Sequence, residues 1–129
     1  MPDAYINQDA GYPVEAAETI VVVAAVSLHT DGLAYNANAA TGAAQDYPCV
    51  GFAETGVVDG ETLEVKTEGT VRYAAGGLTE GAWIYLGETD GAITQTAPTD
   101  VGDVVQVVGF AISEYNWKIS LHPETTVGP

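Results

Sequence analysis

Carboxylates dominate the reactive groups of this chain: 18 Asp and Glu stand against three Lys and Arg and two His. Acids paired at short spacing can act as general acid and base, or hold a hard cation. Glu15/Glu18, Glu61/Glu64 and Glu64/Glu68 have such spacing. At this acid density pairs arise by chance, and none is marked as the two carboxylates of a cleft that glycoside hydrolysis needs. Asp100-Val101-Gly102-Asp103 offers two carboxylates around a glycine. It lacks the dense ligand spacing of a calcium loop and reads first as a turn. His29-Thr30-Asp31 has the groups to hold a metal or a proton, but a solvated turn is the plainer reading. His122 is isolated near a strand end. Cys49 is the single cysteine, so no internal disulfide forms, and between Pro48 and Val50 it reads as a small core residue rather than a nucleophile. The chain carries no G-x-S-x-G, phosphate loop, H-E-x-x-H, C-x-x-C or G-x-G-x-x-G. The expectation is a non-enzyme with no cofactor and no metal.

The formal charge of −15 argues against nucleic acid as a partner, since phosphate contacts need basic patches. Such charge keeps a protein soluble and opposes nonspecific association. It fits either an ordinary acidic surface or adaptation to high salt, where screening makes it tolerable. The longest apolar run, Ile20–Val26, suits a buried strand and is too short to span a membrane. The first residues, MPDAYINQDAGYP, hold no basic residue and no apolar stretch, which is not the pattern of a secretory signal.

With 47% apolar residues the chain can build a core. Residues 1–18 lack periodicity and read as an extended arm. Beyond them, short β-like runs alternate with Gly, Asp, Asn and Pro turn signals. The runs are 20–28, 33–36, 49–54, 61–67, 70–74, 82–87, 91–96, 104–112 and 116–122. In Glu61–Thr67, Leu63 and Val65 fall on one face and Glu64 and Lys66 on the other; Val71 and Tyr73 continue the pattern with Arg72 outward. Ala39–Gln45 can form at most one helical turn. About nine short strands predict an all-β fold, a small β-barrel or β-sandwich, over residues 19–123, followed by a loose tail at 124–129.

The tetrapeptide VGFA occurs at Val50–Ala53 and again at Val108–Ala111. Each copy is preceded, about 20 residues earlier, by Thr-Asp-Gly, at Thr30–Gly32 and Thr89–Gly91. Each Thr-Asp-Gly follows an apolar strand. The unit is strand, turn, strand, loop, strand, written twice, and it predicts two pseudo-equivalent halves at about 19–75 and 76–123. Val50, Phe52, Val108 and Phe110 are expected in the core, with Gly51 and Gly109 where the sheet curves. Trp83 with Tyr85, and Tyr115 with Trp117, share strand faces. They suit a core or a subunit interface, and alternatively a platform for sugars.

Two stretches carry a resemblance. PCVGFAETGVVDGETLEVKTEGTVRYAA (Pro48–Ala75) is followed by GGLTEGAWIYLGETDGAITQTAPTD (Gly76–Asp100), and the second VGFA closes the unit. In this order the pieces resemble the head decoration (cement) proteins of tailed viruses, both the lambda-type proteins and the wider set of small capsid-cement proteins. The resemblance spans Thr19–Pro123. It implies a small β-barrel that forms a homotrimer on the outer surface of an expanded icosahedral capsid, with the major capsid protein as partner and no nucleic acid or membrane. It also implies an N-terminal arm reaching over neighbouring capsid subunits, with Tyr5, Ile6, Tyr12 and Pro13 as anchors. Tail, fibre and vertex-turret components, some of them glycan-binding, share similar strings. This chain is more acidic than the family in general, which implies a salt-rich habitat or a basic patch on the capsid.

Overall fold

The computed structural model of the protein describes residues 11–40 and 48–128. Among these residues every regular element is a strand: β1 (Gly11–Glu15), β2 (Ala25–Leu28), β3 (Ala34–Asn36), β4 (Gly51–Ala53), β5 (Thr62–Lys66), β6 (Thr70–Arg72), β7 (Trp83–Leu86), β8 (Ile93–Thr94), β9 (Val104–Val105), β10 (Val107–Ala111), β11 (Asn116–Ile119) and β12 (Thr125–Thr126). The fold is all-β, as the turn-punctuated pattern predicts. There are two five-stranded antiparallel sheets, ordered β1-β5-β4-β2-β3 and β6-β11-β10-β7-β8, and a separate two-stranded pair, β12-β9.

The two sheet orders are one order written twice, and the register agrees residue by residue. Ala25 faces Phe52 as Trp83 faces Phe110, and Val26 faces Gly51 as Ile84 faces Gly109. Phe52 faces Lys66 as Phe110 faces Lys118, and Ala53 faces Val65 as Ala111 faces Trp117. At the outer edge, Gly11 faces Lys66 as Thr70 faces Lys118. The repeated glycine has a steric cause. A Cβ on Gly51 would run into the Lys66 carbonyl and the Val65 side chain; on Gly109 it would meet the Lys118 carbonyl and the Trp117 indole. Each glycine lets the following strand approach closely.

Two clusters form the core. One packs Ala25 and Phe52 of the first sheet against Ile84, Ala111, Trp117 and Ile119 of the second, with the Phe52 and Trp117 rings edge to face at 4.9 Å. The other covers the opposite face of the first sheet, where Val26, Ala53, Leu63 and Val65 meet Ala16 and Ile20. The halves are therefore stacked in series: the back of the first sheet lies on the front of the second.

Several expectations shift. Within the expected arm, residues 11–15 are a strand paired along its length with β5, because Tyr12 and Val14 find apolar cover in the second cluster; residues 1–10 lie outside the described residues. The halves consequently divide between β5 and β6, so Thr70–Arg72 opens the second unit. The run at 20–28 becomes a strand only from Ala25. Val23 has φ of 71°, a left-handed conformation strained for a β-branched residue. Its N–H donates to the Ala53 carbonyl at 2.8 Å, which holds the turn. The run at 104–112 splits at Gln106, whose buried amide accepts from the Cys49 N–H (2.7 Å) and donates to the carbonyls of Cys49 (2.9 Å) and His122 (3.1 Å). In the expected tail, Thr125–Thr126 pairs with β9. Most of the helical turn expected at Ala39–Gln45, residues 41–45, lies outside the described residues.

Cys49 is buried at 2% exposure and donates its S–H to the Gly51 carbonyl at 3.3 Å. Burial pushes its thiol up to about 12. At about pH 8 it therefore stays a thiol. A disulfide reagent is expected to leave the native protein unlabelled and to label one thiol per chain in denaturant; rapid native labelling would contradict the burial.

Candidate functional site

The outer face of the second sheet is built by strand alternation. Trp117, Ala111 and Ile84 point inward to the core, so their neighbours Lys118, Phe110 and Trp83 point outward. Trp83 is half exposed (50%), and its ring meets Phe110 edge to face at 6.3 Å and His122 at 5.6 Å. Cross-strand pairing places Thr70 beside Lys118 and Arg72 beside Asn116 on the same face, and Tyr85 beside Thr94. The Arg72 guanidinium lies 5.2 Å from the centre of the Tyr115 ring. No residue that these strands turn outward is acidic, and two of the chain's three basic residues are there. The third, Lys66, is 3.9 Å from Glu54, and all three line a groove of about 680 Å³ beside Phe52 and Glu68. Glu54 also lines the groove, so three bases meet two acids there, which in a chain of charge −15 is a locally basic region.

The expected site residues divide. Phe52 and Val108 are core, whereas Val50 and Phe110 are only partly buried. For Phe110 the cause is position: its counterpart Phe52 is covered by the second sheet, and among the described residues no further sheet covers Phe110. Trp83 and Tyr85 lie outward, Trp83 on the open face. Trp117 is 1% exposed and belongs to the core rather than to a surface. Tyr115 does not share its face, because the turn closed by the Asn116 carbonyl on the N–H groups of Ile112 and Ser113 breaks the alternation before β11 begins. Tyr12 is a packing residue, and burial raises its phenol above the ordinary tyrosine value. Pro13 is exposed on β1, and Tyr5 and Ile6 lie outside the described residues. Sequence reasoning missed Lys118, Thr70 and His122 for this face: only the β6–β11 pairing unites Lys118 with Thr70, and only the packed fold brings the His122 ring to Trp83.

The suspected reactive groups serve local structure. Asp31 accepts from the Tyr35 hydroxyl (2.7 Å) and the Leu33 N–H (2.9 Å), which hold its carboxyl below the ordinary value, and His29 stacks on Tyr35 at 3.5 Å. Glu18 accepts from the backbone N–H and side-chain amide of Asn36, and Glu61 accepts from the Val58 N–H. Asp100 and Asp103 are joined by Glu88, with one oxygen of each within 4.8 Å of the others. These three have the hard oxygen donors a cation takes. The hydrogen bond to Asp103 raises the Glu88 carboxyl above its ordinary value, with burial and the charges of Asp103 and Asp100 adding to it. A raised carboxyl binds protons more readily folded than unfolded, so its contribution favours folding at low pH and is lost as pH rises through the raised value. Glu88→Gln is therefore expected to melt higher than the parent at neutral pH, with the gap closing toward about pH 4. A gap independent of pH would exclude the carboxylate repulsion as its cause.

A scan against models of known protein families returns no match for this chain, and a search of curated protein sequences returns none either.

Proposed function

We propose that the chain is a structural virion protein that binds the outer surface of an expanded icosahedral capsid as a homotrimer and stabilises it. The observation that carries this reading is the open aromatic and basic face on an internally repeated β body. It is a surface for docking rather than a cleft for turnover. The ordered resemblance of Pro48–Asp100 and the second VGFA to capsid-cement proteins supports it. The mechanism is linkage: each bound copy adds contacts that exist only in the mature shell, and so favours that shell against heat and internal pressure.

Two measurements test it. Quantitative mass spectrometry of purified particles is expected to find nearly one copy per shell subunit. Stripped capsids are expected to gain thermal stability when the protein is added back. A few copies per particle would move the protein to the tail or a vertex, and its absence from particles would end the reading. The arm is tested by deleting residues 1–10, which stops short of β1. Capsid binding is expected to fall while the fold persists; undiminished binding would remove the arm from the mechanism.

A further inference from the structure

We infer that the outer face of the second sheet, centred on Trp83, Phe110 and Lys118, is where a second copy of this chain docks. The inference deepens the homotrimer reading above and rests on it only for the existence of an oligomer.

In the first half, the residues equivalent to Trp83, Tyr85 and Phe110 are Ala25, Ser27 and Phe52, which are 0%, 0% and 2% exposed. Ala25 and Phe52 are buried because the second sheet lies on them. The fold thus already shows what covers this face: another sheet of the same fold. In the second half Trp83 and Tyr85 replace Ala25 and Ser27, and among the described residues no further sheet covers them, leaving Trp83 half exposed. Half-exposed Trp and Tyr beside Arg72 match the aromatic and Arg enrichment of interfaces.

Charge then selects the occupant and the geometry. Copies carrying −15 each repel through most of their surface. The strands of this face turn no acid outward and bring Arg72 and Lys118 to it. It is therefore suited to the acidic surface of another copy. Two such faces would repel each other through those same cations, so the contact joins unlike surfaces. A contact between unlike surfaces repeats from copy to copy and, when the rotation closes, makes a ring. A closed ring of three fits these terms.

The test is sedimentation velocity on the full chain, at physiological and at high salt, for the parent, Trp83→Glu, Lys118→Glu and Val101→Glu. Val101 is an exposed apolar residue outside the strands that build the face and controls for added charge. The expected result is a threefold mass for the parent and Val101→Glu, and folded monomers for Trp83→Glu and Lys118→Glu, with unchanged circular dichroism. Both substituted positions are exposed, and Lys118→Glu tests the face without touching its aromatic ring. Trimeric, folded Trp83→Glu and Lys118→Glu would overturn the assignment of the face while leaving the homotrimer intact. A parent that is monomeric at both salts would overturn both, with capsid rebinding still deciding the decoration role. A monomeric parent that binds oligosaccharides through Trp83 would replace the second copy with a glycan.

Discussion

Gly109→Ala is expected to lower the melting temperature by roughly 10 °C, equivalent to about 3 kcal/mol. A methyl group there points at the Lys118 carbonyl and at the indole of Trp117. The carbonyl belongs to the β10–β11 ladder and cannot turn aside, and the indole is wedged in the core at 1% exposure. The strands must separate or the indole must leave its site, and both loosen the packing between the halves. Gly51→Ala meets the equivalent Lys66 carbonyl at 2.6 Å, but its other obstacle is one methyl of Val65. A methyl yields more easily than an indole, so Gly51→Ala is expected to cost less than Gly109→Ala. Gly128→Ala enters open space and is expected to leave stability unchanged. Calorimetry on the three variants checks the order. A Gly109→Ala protein that melts within about 2 °C of the parent would show that the glycine is not there to admit the neighbouring strand.

The twin VGFA strings made the repeat legible in the sequence, since motif, turn and spacing recur together. Its real extent was not legible. β1 and β6 are equivalent edge strands, yet GYPVE and TVR share no residue pattern, and their equivalence exists only as pairing with β5 and β11. Strand interiors with strict alternation, such as Thr62–Lys66, were legible because burial on one face imposes period two. Val21–Val23 misled because β-branched composition signals a strand, while the Ala53 carbonyl and the left-handed Val23 make a turn there. Among candidate site residues, parity told which side chains share a face but not which face is covered. That depends on how two sheets stack, and stacking is a property of the whole chain. Trp83 and Trp117 thus looked alike in sequence, and they occupy the open face and the core.

Trp117→Ala is expected to be the most damaging single truncation, costing about 4 kcal/mol. Trp117 stands where the first half has Val65, but its surroundings differ. Across the gap between the sheets lie small residues: Ala25, Ala37 and Ala39 line the cluster that it fills, and Phe52 meets its ring. Small side chains on one side leave room that only a large one on the other can occupy. Removing the indole opens a cavity that backbone-anchored alanines cannot collapse into. Trp117→Phe provides the contrast. It keeps an aromatic ring against Phe52 and removes an indole N–H that is buried with no acceptor among the described residues. Losing an unsatisfied donor relieves a cost, so Trp117→Phe is expected to lose under about 1.5 kcal/mol despite its smaller volume. Chemical denaturation measures both changes. Because the cluster joins the two sheets, Trp117→Ala is also expected to broaden the transition or divide it in two, as the halves cease to unfold together. A single sharp transition shifted by under about 1 kcal/mol would mean that the sheets are held mainly by other contacts, such as the Gln106 amide that ties Cys49 to His122.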